Sequence, residues 1–452
     1  MTLLSFCSKQ YVVTCLPTMD SLPNELLDQV ITHVAQSNDG RNIQDANSLA
    51  NCCLVSKAFL QCARPVLYSA IHLDLMTDEP SSLLKTLKSD VQLARAVNSL
   101  FIQCGSPCST PVQRINELRE FMTEALPLFV NLTSFRSDHR IATIKLAETS
   151  LYHNTGGYSM GIPINLNNIR TLELFGADYI YKYNYILRLP QLRRVLLHSM
   201  KIIDLDGDDR AYPNDWGWMS HTIKELEIHQ GFRTWNSSPY RLWSNSLQAL
   251  SRSMPALSYL RLYHQECTFY PKQSRHLLGF FRPQLRNSLR RLAVEDGRID
   301  RSHPGLGYNY LAEDVSILED TTASSLEYLS IDLHTLFTRV HHVDLSEAIH
   351  TASLPTSLRH FRLRHTEVND MSSVADTSTL FNWNPEMVVQ ELVCKCPALS
   401  QIDLELRLLR SPDSAMLERY RTAFASQGIR FNTLVHECPS QRRTSIICYR
   451  AT

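Results

Sequence analysis

The chain lacks an excess of charge, is poor in glycine and contains no long apolar run. Lysine plus arginine and aspartate plus glutamate both number 45, so no net charge attracts the protein to nucleic acid or to an anionic membrane. Glycine occurs only 14 times in 452 residues, and no Gly-rich phosphate-binding loop is present. Because no stretch approaches about 18 consecutive apolar residues, the sequence predicts no membrane-spanning helix.

The twelve cysteines lack the spacing of a metal site or a redox motif. No pair reads Cys-x-x-Cys, and the close pairs Cys52/Cys53 and Cys394/Cys396 have no partners at the intervals of a zinc site. Residues 1–18 lack the basic start of a secretory signal, so we expect a disordered leader, with Met19 as an alternative start. We expect reduced thiols, a cytoplasmic or nuclear location, and neither metal nor cofactor.

An apolar stripe near the start of the chain predicts an amphipathic helix. Its members recur at spacings of three and four residues: Leu22, Leu26, Leu27, Val30, Ile31 and Val34. Ser21 is suited to the N-cap, and Pro23 to the first helical turn. A unit of about fifty residues buries only about 60% of its extended surface. Because this one has many large apolar side chains, we expect some of them to contact a partner. A core helix in an ordinary helical domain is the alternative.

Three sequence blocks follow in order within residues 19–68. They read Leu22-Pro23-x-Glu25-Leu26, Val55-Ser56-Lys57-Ala58-Phe59 and Leu67-Tyr68. This pattern resembles the F-box, although Ser56 stands where the family usually has cysteine and Phe59 where it has tryptophan. The resemblance implies a three-helix module that binds a Skp-family adaptor. The residues that it implies for this contact are Leu22, Pro23, Glu25, Leu26, Leu27, Val30, Val55, Lys57 and Phe59.

One phrase, apolar-x-x-apolar-x-apolar, recurs through the rest of the chain. Its copies start at residues 97, 169, 192, 223, 257, 289, 326, 358 and 399, with a defective copy at 132–137. Alternation within the phrase predicts short strands. Residues 68–75 are predicted to form the first strand and residues 429–435 the closing strand. The intervals are too long for hairpins but sufficient for the crossover helices of parallel strands. Candidate return helices are residues 117–126, 179–187, 244–253, 272–281, 386–394 and 413–426, and Gly428 is placed to end the last of them. The sequence therefore predicts an α/β fold in which stacked repeats share one core.

Residues 69–452 resemble leucine-rich repeats, in the degenerate long-repeat form often found behind an F-box in fungal proteins. The Asn or Cys that usually follows each strand is mostly missing here. The resemblance implies a solenoid whose concave face, formed by outward strand positions, binds a target protein. Those positions are Glu173, Phe175, Arg194, His198, Glu227, His229, Tyr259, Arg261, Tyr263, Glu295, Tyr328, Asp332, Arg362, Arg364, Asp403 and Glu405. Ordinary solvated strand faces remain the alternative for each residue.

Enzymatic readings of the sequence are weaker. A doubly wound α/β enzyme also alternates strands and helices, but ten similar strand phrases argue against it. The string Gly157-Tyr158-Ser159-Met160-Gly161 matches a nucleophile elbow, yet Pro163 blocks the helix that must follow. The acidic string 204–208 lacks the glycine and glutamate of a calcium loop, so a solvated insert is favoured.

An F-box joined to leucine-rich repeats implies a substrate-recognition subunit of an SCF-type cullin–RING ubiquitin ligase. The expected partners are a Skp-family adaptor, cullin through that adaptor, and a target protein, with no nucleic acid and no membrane. No residue of such a subunit is catalytic. The alternative function is an adaptor-bound scaffold without ligase activity.

Overall fold

A computed structural model describes residues 23–35, 46–104, 111–138, 164–175, 184–198, 219–230, 249–264, 283–296, 325–332, 349, 354–366, 384–408 and 414–437. The chain divides into two compact units. The first comprises residues 1–105, 110–135 and 163–166, and the second comprises 106–109, 136–162 and 167–452. The predicted leader, Leu22, the Ser159 string and the acidic insert lie outside the described residues.

Three helices open the first unit. They are α1 (Asn24–Ala35), α2 (Ala46–Val55) and α3 (Lys57–Ser69). Pro23 lies just before α1 rather than within its first turn, and its carbonyl accepts the backbone N–H of Leu26 at 3.0 Å. Ser56 alone separates α2 from α3, and its hydroxyl oxygen caps α3 by accepting the N–H of Phe59 at 3.4 Å. Ser56 therefore begins the third helix.

The three helices enclose a small apolar core of their own. Its fully or nearly buried members are Leu27, Ile31, Leu49, Phe59 and Ala63. Each helix contributes to this cluster, because α1 supplies the first two residues, α2 the third and α3 the last two. Of the predicted stripe on α1, Leu27 and Ile31 are therefore sealed within the chain itself, and Val34 packs against them while remaining partly exposed.

The rest of the first unit mixes helices and strands. The helices are α4 (Pro80–Ser89), α5 (Val91–Ala96) and α6 (Val112–Glu124); the strands are β1 (Ala70–Asp74), β2 (Ser99–Gln103) and the beginning of β3 (Ser134–Ser137). Strands β1 and β2 are parallel. The Asp90 carboxylate caps α5 by accepting the backbone N–H groups of Gln92 and Leu93. The Asn98 carbonyl accepts the N–H groups of Thr133 and Ser134, which aligns the start of β3.

The second unit contains nine consecutive strands after the end of β3. They are β4 (Thr171–Phe175), β5 (Arg194–His198), β6 (Glu225–Gln230), β7 (Tyr259–His264), β8 (Arg291–Asp296), β9 (Tyr328–Asp332), β10 (His360–Thr366), β11 (Gln401–Leu408) and β12 (Arg430–Glu437). Each pairs in parallel with the next in sequence. The order never reverses, so the described strands lack the switch point of a doubly wound sheet. The predicted α/β class with parallel strands is confirmed.

Every copy of the repeat phrase coincides with a strand, but each strand starts two residues later than the phrase. In the copy at 169–174, Ile169, Leu172 and Leu174 are all fully buried, while β4 begins at Thr171. The first apolar residue of the phrase is thus buried in the turn that leads into the strand. The defective copy forms β3, in which Ser137 occupies a buried inward position.

Return helices connect several strands of the second unit. They include α7 (Asn184–Leu187), helical residues 249–253, α8 (Pro283–Ser288), α9 (Pro385–Lys395) and α10 (Ser414–Ser426). The predicted helices at 386–394 and 413–426 correspond to α9 and α10, and the one at 117–126 to α6 of the first unit. Of the helices predicted at 179–187 and 244–253, only the ends are described, and 272–281 lies outside the described residues.

The predicted helix-terminating glycine ends α10. Gly428 has a φ of 71°, in the left-handed region that glycine adopts without a side-chain penalty. Its N–H donates to the Ala425 carbonyl and the N–H of Ile429 donates to the Phe424 carbonyl, both at 3.0 Å. These two bonds form a Schellman motif, which satisfies the last carbonyls of α10 and leads the chain into β12.

Candidate interaction surfaces

Large apolar side chains are exposed on all three helices that open the first unit. They are Leu26, Val30, Leu54, Val55 and Leu60, here called the exposed apolar set. Leu54 is 84% exposed and Leu26 is 47% exposed, although buried leucines form the core of the same three helices. Leu26 and Val30 are four residues apart on α1 and therefore share one helix face. These helices keep apolar surface that their own core does not cover.

The residues implied for the adaptor contact fall into two groups. Leu26, Val30 and Val55 are exposed, as are the side chains of Pro23, Glu25 and Lys57. Leu27 and Phe59 are buried in the helical core, at 0% and 7% exposure. In this conformation they support the helices from within rather than contact solvent. Leu22 lies outside the described residues.

Outward side chains of β4–β12 form the second surface, here called the polar face. Apolar residues at alternate positions, such as Leu172 and Leu174 of β4, are buried, and the intervening positions face the other way. The in-register pairing aligns the outward positions of neighbouring strands in rows, as with Glu227 beside Arg261. The predicted target-binding residues all belong to this face, although the side chain of Asp332 is not described.

Seven charged residues of the polar face form a continuous series of ion pairs, here called the ionic ladder. In order of contact they are Arg194, Glu227, Arg261, Glu295, Arg364, Glu405 and Arg362. The shortest N–O distances join Arg261 to Glu295 at 2.6 Å and Arg362 to Glu405 at 2.7 Å. Basic and acidic residues alternate along the whole ladder, so each carboxylate lies between two guanidinium groups.

The centre of the ionic ladder is withdrawn from solvent. Glu227, Glu295, Arg364 and Glu405 are each at most 5% exposed. The hydroxyl of Ser330, also buried, donates a hydrogen bond to Glu295 at 3.1 Å. These predicted target-binding residues therefore form ion pairs within the ladder, and these contacts stabilise this face of the sheet. Arg194 is the exposed end of the ladder, with 48% of its side chain accessible.

Electrostatic contacts within the ladder favour the ionised forms. The His229 ring nitrogen, 3.7 Å from the Glu227 carboxylate, and the guanidinium groups of Arg261 and Arg194 hold the pKa of Glu227 at about 2. The 3.7 Å separation is too long for a hydrogen bond, so the arginines supply the direct hydrogen bonds. Burial alone would lower the pKa of Arg261, but the carboxylates of Glu295 and Glu227 raise it.

Acid is expected to destabilise the second unit through protonation of Glu227. Its folded pKa of about 2 lies below the value of about 4.3 in an unfolded chain, so its contribution is complete above about pH 5.5 and is lost progressively as the pH falls through 2. Glu227→Gln removes this contribution. The difference in unfolding free energy between the two proteins, from urea unfolding, should be largest near pH 6 and become small near pH 2. A difference that stays constant would contradict the assignment.

Aromatic and cationic side chains stack along the N-terminal row of the polar face. The Arg291 guanidinium lies over the Tyr259 ring at 4.9 Å and over the Tyr328 ring at 5.1 Å. Tyr328 in turn meets the His360 ring edge-to-face at 4.8 Å. Burial, followed by the nearby Glu227 carboxylate, raises the pKa of Tyr259 to about 12, so its hydroxyl stays protonated. The Arg291 guanidinium therefore covers the ring faces of Tyr259 and Tyr328, two of the residues predicted to bind a target.

Three smaller clusters hold most of the remaining predicted residues of the polar face, and Phe175 is half-buried at the end of β4. Glu173 contacts both Arg136 and His198 at 3.0 Å. Burial alone would raise the pKa of Asp403, but hydrogen bonds from Gln401, Asn432 and His360 lower it. A further row packs His229 against the rings of His198 and Tyr263, at 4.5 and 5.1 Å.

Sequence reasoning missed several members of these clusters. They are Arg136, Arg291, Ser330, His360 and Asn432. All five occupy outward positions of a strand. Extending the alternation to every outward position of every strand would have found them, because it depends on parity alone.

The described residues offer little reactive chemistry. No group of three His, Cys, Asp or Glu side chains is placed to hold a metal ion in this part of the chain. Among the described cysteines no disulfide forms, and burial raises the pKa of Cys396 to about 12, which keeps its thiol protonated. None of the described helices combines the length and apolar character needed to cross a membrane.

No protein-family model matches the chain, and no curated protein matches it.

Proposed function

We propose that this chain is the substrate-recognition subunit of an SCF-type cullin–RING ubiquitin ligase. The helices α1–α3 bind a Skp-family adaptor, and the strand-rich second unit holds a target protein. One observation carries the proposal: the exposed apolar set lies on the same three helices as a buried apolar core, to which none of its members belongs. Apolar side chains concentrated on so small a helical segment favour a partner that buries them.

The proposed role requires no catalytic residue in this chain. A subunit that binds adaptor and target together raises the effective concentration of the target's lysines near the ubiquitin-charged enzyme. The two tasks fall on different units, since the exposed apolar set lies in the first and the polar face in the second. Variants in one unit are therefore expected to leave the other task intact.

The double variant Leu26→Asp/Val30→Asp tests the adaptor contact. Truncating or charging an anchor of an interface typically costs 2 kcal/mol or more, so the affinity for the adaptor is expected to fall about 30-fold or more. Because both side chains are exposed, the helical core should stay folded. The measurement is co-purification of the adaptor with the full chain, followed by titration calorimetry.

Met76→Asp is the matched control, because Met76 lies in the same unit and is 46% exposed, like Leu26. It is expected to bind the adaptor as the unaltered chain does. Undiminished binding by the double variant would refute the proposal. Cullin that fails to co-purify while the adaptor is retained would instead favour a scaffold without ligase activity.

A further inference from the structure

Basic residues lie at the point where the strands of the second unit begin. The residues just before β4, β5, β6, β8 and β10 are Arg170, Arg193, Lys224, Arg290 and Arg359. Backbone hydrogen bonds align them strand by strand. The Arg170 carbonyl accepts the N–H of Arg193 at 2.9 Å, and the Arg193 carbonyl accepts the N–H of Lys224 at 2.8 Å. The same pattern continues to β11.

The first residues of the strands add three more cations at this level, Arg194, Arg291 and Arg430. All eight basic side chains are exposed. Only two described acidic residues, Glu225 and Glu327, lie at the same level, and neither is fully exposed. The eight cations are here called the basic edge. A chain whose total charge is zero therefore concentrates positive charge at one end of its strands.

Most of this charge is not neutralised by the protein's own described residues. Arg194 pairs with Glu225 and Glu227, and Arg290 pairs with Glu327 at 3.4 Å. Arg291 is held between two tyrosine rings. The other five form no ion pair within the described part of the chain: Arg170, Arg193, Lys224, Arg359 and Arg430. An anionic partner could bind these five without first breaking an internal ion pair.

The spacing of the basic edge suits an extended peptide. Neighbouring strands lie about 4.8 Å apart, so the six steps from Arg170 on β4 to Arg359 on β10 cover about 29 Å. An extended chain advances about 3.3 Å per residue, so about nine residues reach across this distance. Acidic side chains along such a peptide would lie within reach of cations on several strands.

Nucleic acid fits the basic edge less well. Single-stranded nucleic acid binds with bases stacked on aromatic rings, and here Arg291 already covers both Tyr259 and Tyr328. The zero net charge of the chain also removes the long-range attraction typical of nucleic-acid-binding domains.

We propose that the basic edge binds an extended, carboxylate-rich segment of the target protein. The proposal rests on the proposed function only in taking that target as the occupant. It places target recognition at the exposed start of the strands, because the centre of the polar face is committed to the ionic ladder. Binding of this kind depends strongly on salt, since exposed charges are screened over about 10 Å at 0.1 M ionic strength.

The test uses the full chain and a fluorescently labelled nine-residue peptide of alternating glutamate and serine, with affinity measured by fluorescence anisotropy. Binding is expected at about 50 mM salt and should weaken tenfold or more at about 500 mM. Arg193→Glu/Lys224→Glu should weaken binding at low salt at least tenfold. The matched control, Lys85→Glu/Arg95→Glu, reverses two exposed basic residues of the first unit and should change affinity less than twofold.

Three further ligands distinguish the alternatives: a lysine–serine peptide of the same length, a phosphoserine version of the acidic peptide, and a nine-nucleotide RNA. No binding of the glutamate peptide, an equal loss in the control, or RNA binding tighter than the peptide would each overturn the proposal. Binding that requires the phosphoserine version would overturn the carboxylate assignment. Adaptor binding is measured on the same variants. Because the basic edge lies in the second unit and the exposed apolar set in the first, loss of peptide binding with normal adaptor binding would overturn the basic-edge proposal alone and leave the proposed adaptor contact standing.

Discussion

Glu295→Ala is expected to destabilise the second unit by about 3–5 kcal/mol. The Glu295 carboxylate joins Arg261 to Arg364 and is only 4% exposed. Its removal leaves each guanidinium group with one carboxylate instead of two, Arg261 with Glu227 and Arg364 with Glu405, and no counter-charge between the two arginines. Breaking a buried ion pair by removing one partner typically costs this much, because the remaining charge stays desolvated. The hydroxyl of Ser330 loses its acceptor as well.

Urea unfolding followed by tryptophan fluorescence measures this loss, because all five tryptophans belong to the second unit. Glu225→Ala is the matched control. It removes the same side chain from the same face, but that side chain is 45% exposed and lies 3.6 Å from its partner Arg194. Exposed pairs contribute about 0–1 kcal/mol, so the control should be nearly neutral. Equal effects in the two variants would show that the ladder's burial has no energetic consequence.

Leu27→Ala is expected to destabilise the helical part of the first unit by about 3–5 kcal/mol, the usual cost of removing a fully buried leucine side chain. Leu27 is 0% exposed and contributes to the core with Ile31 and Phe59. Its neighbour Leu26 is 47% exposed, so Leu26→Ala should change stability by about 0.5 kcal/mol or less. Two adjacent leucines thus have opposite roles, one in folding and the other in binding.

Pulse proteolysis across a urea series, scored with an N-terminal tag, compares the two variants in the intact chain. Leu27→Ala should shift the midpoint for cleavage within residues 23–69 to lower urea, and Leu26→Ala should leave it unchanged. A shift of the same size in both would mean that the exposed apolar set also stabilises the helices. That result would remove the main support for an adaptor surface.

The strands of this fold were predictable from the sequence with unusual completeness. In most copies of the phrase an apolar pair at alternate positions became the buried side of a strand, as at Leu260 and Leu262 of β7. Parity alone decides which face a strand residue joins, so the polar face could also be predicted. Each repeat phrase begins two residues before the observed strand, because the first apolar residue of the phrase is buried in the turn that precedes the strand.

The contacts within the candidate site could not be predicted in the same way. Parity places Glu295 and Arg364 on one face, but their pairing passes over β9, and nothing in the strand pattern specifies partners two strands apart. On α1 the spacing of three and four residues describes a stripe that holds both Leu26 and Leu27. Which half is covered depends on how α2 and α3 pack, and that information is not in the periodicity of one helix.

The pairing of Arg364 with Glu295 has a consequence for how the second unit opens. In a stack where each strand touches only its neighbours, strands could detach one at a time, with no penalty beyond their own contacts. Here β8, β10 and β11 are joined by buried ion pairs. Releasing any one of these strands therefore leaves a buried charge on another strand without one of its partners. These strands should therefore exchange their amide hydrogens with solvent as a single cooperative block, more slowly than β4 and β5.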